Sequence, residues 1–133
     1  MTAFRFGPRS VALAVAISGV LSGSASALEA GDAAAGAKVF KKCAACHSAT
    51  ASDGNKIGPN LHGVIGRKAG MVEGFNYSDS MKNSGLTWDE ATLEQYLRDP
   101  KGFIPKNKMA FAGLKKDSDL ANVIAYLKEA SSK

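Results

Sequence analysis

Apolar positions along this chain fall into a few periodic stretches separated by long aperiodic ones. Gly36, Val39, Phe40 and Cys43 recur at the three-and-four spacing of one helical face, and Asp32 stands where a helix N-cap belongs. A helix is therefore expected from Asp32 to about Ala44. In TWDEATLEQYLRDP, Leu93, Tyr96 and Leu97 share a face, Thr87 and Glu90 have capping-box spacing, and Asp99-Pro100 predicts the end of the helix. DSDLANVIAYLKEASS is an amphipathic helix with Leu120, Val123, Ile124 and Leu127 inward, and SDSMKNSG (Ser78–Gly85) reads as a short helix with a glycine stop.

Between these stretches the period disappears. Ser48 to Gly74 carries Gly54, Gly58, Pro59, Gly63, Gly66, Gly70 and Gly74, the composition of a long loop wrapped around something. Pro100 to Lys116 reads as a second irregular loop. No strand-like alternation and no internal repeat occurs after Leu28, so the expected fold class is all-α with long loops, in one domain over residues 28–133.

The first 27 residues follow a different rule. Arg5 and Arg9 precede an apolar run, Val11 to Leu21, which gives way to small residues ending in Ala25-Ser26-Ala27. This is the layout of an export signal with its cleavage site. The uncharged stretch from Ser10 to Leu28 is 19 residues long and could just span a bilayer, but SGVLSGSASA is rich in Ser and Gly for a lipid-facing helix. Cleavage after Ala27 is the expectation. It removes Arg5 and Arg9, so the charge falls from +5 to +3 over the remaining 106 residues. A domain of that size often needs a disulfide, a metal or a bound group to supplement its core.

The only two cysteines stand in KKCAACHSAT. A thioredoxin-like pair needs a βαβ context, which is missing. Structural zinc needs four ligands, and the one other histidine, His62, lies fifteen residues past His47, not at a finger spacing. A disulfide leaves His47 without a role. Covalent haem attachment uses all three: Cys43 and Cys46 bond the two vinyl groups and His47 ligates the iron. Export agrees, since such haem is attached outside the cytoplasm. A flat apolar macrocycle also supplies the missing core.

The sixth iron ligand then sets the chemistry, because an open face reacts with small molecules while a thioether-closed one mainly changes its charge. The candidates beyond residue 27 are Met71, Met81, Met109 and His62. Met71 lies among glycines and Met81 falls in a short helix. Met109 sits in IPKNKMAFAG, an irregular segment held by Pro100 and Pro105, after a helix from which Tyr96 can point its hydroxyl toward the haem. Met109 is favoured.

CAACH, GPNLHGVIGRKAG, YSDSMKNSGLTW and YLRDPKGFIPKNKMAFAGLKK together resemble class I cytochrome c, close to the mitochondrial protein and to small bacterial electron carriers, from about Gly31 to Ser131. The resemblance implies the cytochrome c fold with crossing terminal helices, one haem c on Cys43 and Cys46, and His47 and Met109 as axial ligands. It implies that the Pro59 carbonyl accepts the His47 ring N–H, that Arg67, Tyr77 and Trp88 hold the propionates, and that Tyr96 stands beside the methionine sulfur. Gly36, Phe40 and Tyr126 match the helix crossing. Asn107 and Met81 depart from the family, which often has threonine and asparagine there.

The function expected is a soluble, periplasmic one-electron carrier and not an enzyme, most plausibly monomeric, with no nucleic-acid partner and membrane contact only through its partners. The alternative class, a haem peroxidase or gas sensor, needs an acid–base residue at the iron, and only His62 is left for that. Partners implied are acidic redox proteins such as a cytochrome bc complex and an oxidase or photosynthetic reaction centre. Residues 33–52 and 100–116 hold eight lysines and no acid, among them Lys42, Lys101 and Lys108, which are expected to lead docking.

Overall fold

The computed structural model describes residues 29–133, so the expected cleavage site lies outside the described residues. Five helices follow in order: α1 (Ala33–Phe40), α2 (Asp79–Lys82), α3 (Glu90–Arg98), α4 (Pro100–Phe103) and α5 (Asp117–Ala130). Among the described residues the only β pairing is an isolated antiparallel bridge between Lys68 and Thr87. The all-α expectation holds.

Helices α1 and α5 cross. A Cβ at Gly36 would stand 1.9 Å from the Asn122 carbonyl oxygen, and one at Gly31 would stand 2.0 Å from that of Ala121. Only glycine allows this approach, and Gly36→Ala would push the helices apart. Phe40 and Tyr126 close the crossing with ring centroids 5.0 Å apart. Leu120, Val123, Ile124 and Leu127 are all buried, as their spacing predicts. Full burial of such a side chain contributes ~1.5–3 kcal/mol, so this seam is a substantial source of stability. The Asp32 side chain accepts from the Ala35 amide at 2.8 Å, and Asn122 reaches across from α5 to accept from the Asp32 amide at 2.8 Å. The start of α1 is thus capped by its own sequence and by its partner helix.

Three expectations need correction. Helix α1 ends at Phe40, short of Ala44, and the chain continues to Cys46 as tight turns: Cys43 bonds back to Phe40 at i−3, and Cys46 to Cys43 likewise. The capping box of α3 is formed by Asp89 and Thr92, not by Thr87 and Glu90. Thr87 is occupied in the bridge with Lys68, and its carbonyl accepts from the Thr92 hydroxyl, so the helix starts two residues later. Finally, Pro100 does more than end α3. It opens α4, with Asp99 as N-cap accepting from the Gly102 amide at 3.1 Å. Proline at the first helical position costs nothing, because its missing N–H would be unpaired there anyway.

Candidate haem site

Between α1, the glycine-rich loop and the segment after α4 lies a cavity of about 260 Å³. Cys43, Cys46 and His47 line it from the turns after α1, Tyr77 and Met81 from the α2 region, Tyr96 from α3, and Met109 from the last loop. A larger cleft, about 540 Å³, is bounded by Glu29, Glu90, Glu94 and Glu129 over a floor of alanines, and holds no cysteine, histidine or methionine. The chemistry belongs to the smaller cavity.

His47 owes its orientation to two features of the loop. Its Nδ1 is 2.7 Å from the Pro59 carbonyl oxygen, to which the ring N–H donates. Its ring lies on Gly58, where a Cβ would fall 2.4 Å from Cε1. Burial pushes the imidazole's pKa down, and the bond to Pro59 opposes this only in part. The ring is therefore neutral, with Nδ1 protonated and the Nε2 lone pair free to ligate a metal. Burial raises the pKa of the Cys43 thiol, against the pull of Lys42, so it is no activated nucleophile. The two cysteines are not joined to each other.

The loop that carries Pro59 is held by side chains bonded to backbone. Asn60 Nδ2 donates to the carbonyls of Thr50 (2.9 Å) and Asp53 (2.6 Å), while its Oδ1 accepts from the His62 amide at 2.8 Å. Asn55 Oδ1 accepts from the Asn60 amide at 3.0 Å. Arg67 clasps the same turn, donating to the carbonyls of His62 (2.9 Å) and Asn60 (3.1 Å). Sequence reading missed Asn60 and Asn55; their only signal was a pair of asparagines flanking Gly58-Pro59.

Other residues singled out from the sequence fall in two groups. Tyr77 lines the cavity, whereas Arg67 and Trp88 stand outside its lining. Trp88 is buried against Tyr96 at 5.0 Å between centroids, and its backbone pairs with Arg67 and Gly66. Burial raises the Tyr77 pKa, opposed by the Val72 backbone and the Arg67 charge. The Tyr96 hydroxyl donates to Met109 Sδ at 3.9 Å, and burial pushes its pKa up to about 12, so it stays a neutral donor. Of the competing ligands, Met81 is buried in the cavity wall, Met71 is 67% exposed, and His62 does not line the cavity.

Lys42 and Lys108 border the cavity, and Lys101 does not. Lys42 lies 3.5 Å from Asp119, Lys108 donates to the Asn76 carbonyl at 3.1 Å, and Lys101 donates to the Asn107 carbonyl at 2.6 Å. No described helix is long and apolar enough to cross a membrane.

Two thiols and a neutral imidazole on one wall, a thioether in the same cavity, and a largely apolar lining fit a covalently held haem. That class of protein is matched by similarity. The chain matches the cytochrome c family over residues 33–131. It is 55% identical to cytochrome c2 of Rhodomicrobium vannielii, over 78% of this chain and 83% of that protein. It is 52% identical to cytochrome c of Stellaria longipes, over 76% and 94% respectively. Cytochrome cH from Methylobacterium extorquens superposes with a TM-score of 0.71 at 49% identity, covering 74% of this chain and 99% of that one. The chain belongs to the cytochrome c family. It is an electron-carrier cytochrome with haem c attached through Cys43 and Cys46.

Proposed function

We propose that this carrier works in the periplasm, exported as residues 28–133 after cleavage behind Ala27, with His47 and Met109 as its axial ligands. It moves electrons between acidic redox partners, of the kind of a cytochrome bc complex and an oxidase or photosynthetic reaction centre, without itself being an enzyme. When bound, haem c supplies an iron that takes up and releases one electron. The protein's own residues keep that change free of other chemistry. Burial keeps the His47 ring neutral, and the Pro59 carbonyl orients it. Tyr96 offers a neutral O–H to the Met109 sulfur. The apolar wall of Leu61, Phe75, Met81, Leu97 and Phe111 keeps water and substrates out. Among the described residues no second histidine and no carboxylate lines the cavity, which supports a carrier over a peroxidase, since the latter needs an acid–base group at the iron. In this reading Tyr77 offers the propionates a donor from the cavity lining, with Arg67 and Trp88 behind it, outside that lining.

The observation that carries this reading is that His47 and Met109, 62 positions apart, line one cavity together with both cysteines. Met109→Ala tests it. The near-infrared sulfur-to-iron charge-transfer band of the oxidised protein should vanish, the reduction potential should fall, and peroxide turnover should appear. A band that survives in Met109→Ala and disappears in Met81→Ala or His62→Ala overturns the ligand assignment.

A further inference from the structure

We infer that Asn107 is the positioning residue that keeps Met109 at the iron, and that it thereby separates electron transfer from peroxide chemistry in this protein. The inference rests on Met109 being the axial ligand.

The segment between α4 and α5 has little backbone pairing of its own. From Lys108 to Gly113 no amide takes part in a backbone–backbone hydrogen bond; the next such donor is Leu114, to Leu97. The Met109 amide donates instead to Asn107 Oδ1 at 2.9 Å. The same side chain, only 4% exposed, sends both Nδ2 hydrogens inward, to the carbonyls of Pro100 (2.7 Å) and Ile104 (2.8 Å). One buried amide thus joins the first residue of α4, its C-cap and the ligand's own backbone. The chemistry fixes its orientation, because two carbonyls require the NH₂ group and an amide N–H requires the oxygen.

The neighbouring backbone makes this tie necessary. Lys106 has φ +61°, the only non-glycine among the described residues in that region. A lysine has no intrinsic preference for this conformation, and nothing in its own side chain offsets it. The turn that drives Asn107 inward is held by the bonds Asn107 makes once there. Remove them, and the loop keeps an unfavourable lysine, the Pro100 and Ile104 carbonyls retain only the backbone bonds from the Ile104 and Asn107 amides (3.1 and 3.3 Å), and the Met109 amide loses its acceptor. The least costly relaxation swings residues 105–109 outward and takes the thioether with them. On the histidine side, Asn60 has a comparable set of bonds, but His47 is also fixed by Pro59, by Gly58 and by its place in the CAACH turns.

The test uses the haem-loaded protein. Asn107→Ala should weaken the charge-transfer band at neutral pH, lower the reduction potential, and raise peroxide turnover with a phenolic reductant roughly tenfold. Asn107→Asp keeps the size and the acceptor for Met109 but loses the donor, so it should fall between Asn107→Ala and the parent. Adding Lys106→Gly to Asn107→Ala should restore part of the band, because glycine removes the backbone cost. Asn60→Ala should lower the unfolding temperature and leave the band unchanged. A full band and unchanged potential in Asn107→Ala overturn the inference, whatever happens to stability, as does an Asn60→Ala that opens the iron equally. If Asn107→Ala yields no folded holoprotein, Asn107→Asp decides by the same criteria. Hydrogen exchange decides without any variant: in the parent the Met109 amide should exchange as slowly as those of Phe103 in α4 and of its C-cap, Ile104, and rapid exchange there overturns the inference. Met109→Ala abolishes the band whether or not Asn107 matters, so a wrong ligand assignment shows itself separately.

Discussion

The two loops that close the haem cavity are built differently. On the histidine side the proposed ligand, His47, lies in consecutive i−3 and i−4 turns after α1, its ring is bonded to Pro59, and it packs directly on Gly58. On the methionine side the proposed ligand, Met109, hangs on a segment with few backbone bonds, a left-handed lysine and one buried asparagine. The first loop is over-determined and the second is not. On the reading that His47 and Met109 are the iron ligands, this asymmetry places any ligand loss on the methionine side.

The comparison breaks most visibly at Gly58. Gly58→Ala puts a methyl group 2.4 Å from His47 Cε1, with the Pro59 carbonyl preventing the ring from turning away. Overpacking of this kind costs ~1–3 kcal/mol or more, and here it also displaces His47, the proposed iron ligand. Holoprotein yield and unfolding temperature should both fall sharply. If Gly58→Ala accumulates normally with the parent's spectrum, the histidine loop is not the rigid one.

A second, smaller effect separates the loops electrostatically. Lys42 borders the cavity from the histidine side and already has Asp119 at 3.5 Å. Lys108 borders it from the methionine side and meets a carbonyl, while nearby Asp79 is held by Lys82 at 2.9 Å. Reversing Lys108 to Glu should therefore slow electron transfer to an acidic partner more than reversing Lys42, by up to about tenfold at low ionic strength, and the difference should fade as the Debye length shrinks to ~8 Å. Lys133→Glu is the control. Equal losses at all three positions, or rates indifferent to salt, would remove the docking face.

The smallest expected effect lies outside the cavity lining, at the N-cap of α3. The Asp89 carboxylate accepts from the Thr92 amide and hydroxyl, which holds its pKa below the usual value of 3.8. A depressed carboxyl adds stability above its unfolded pKa and loses it as pH falls through the folded one. Thermal unfolding of Asp89→Ala should differ from the parent by a few degrees at neutral pH and converge with it as pH falls through the depressed carboxyl pKa. A difference that persists at the acid end would mean that the cap is not electrostatic.

The helices were legible because their signals are local. Leu120, Val123, Ile124 and Leu127 mark the buried face of α5 by spacing alone, and CAACH names its chemistry within five residues. The errors were also local in origin. Thr87-x-x-Glu90 and Asp89-x-x-Thr92 overlap, both have capping spacing, and only the bridge from Lys68 to Thr87 settles where α3 begins. Asp99-Pro100 was read as a stop, yet the same two residues cap and open α4.

What the sequence determined by itself was therefore the covalent motif and the helical faces, because each depends on residues within a turn or two of one another. What only the tertiary structure decided was which backbone atoms the loop side chains reach. Asn60 and Asn107 look alike in the sequence, as polar residues in glycine- and proline-containing loops. Their partners are carbonyls and amides up to ten positions away, brought within 3 Å by the path of the chain. A hydrogen bond needs a distance and a direction, and neither is encoded in the spacing of an irregular loop.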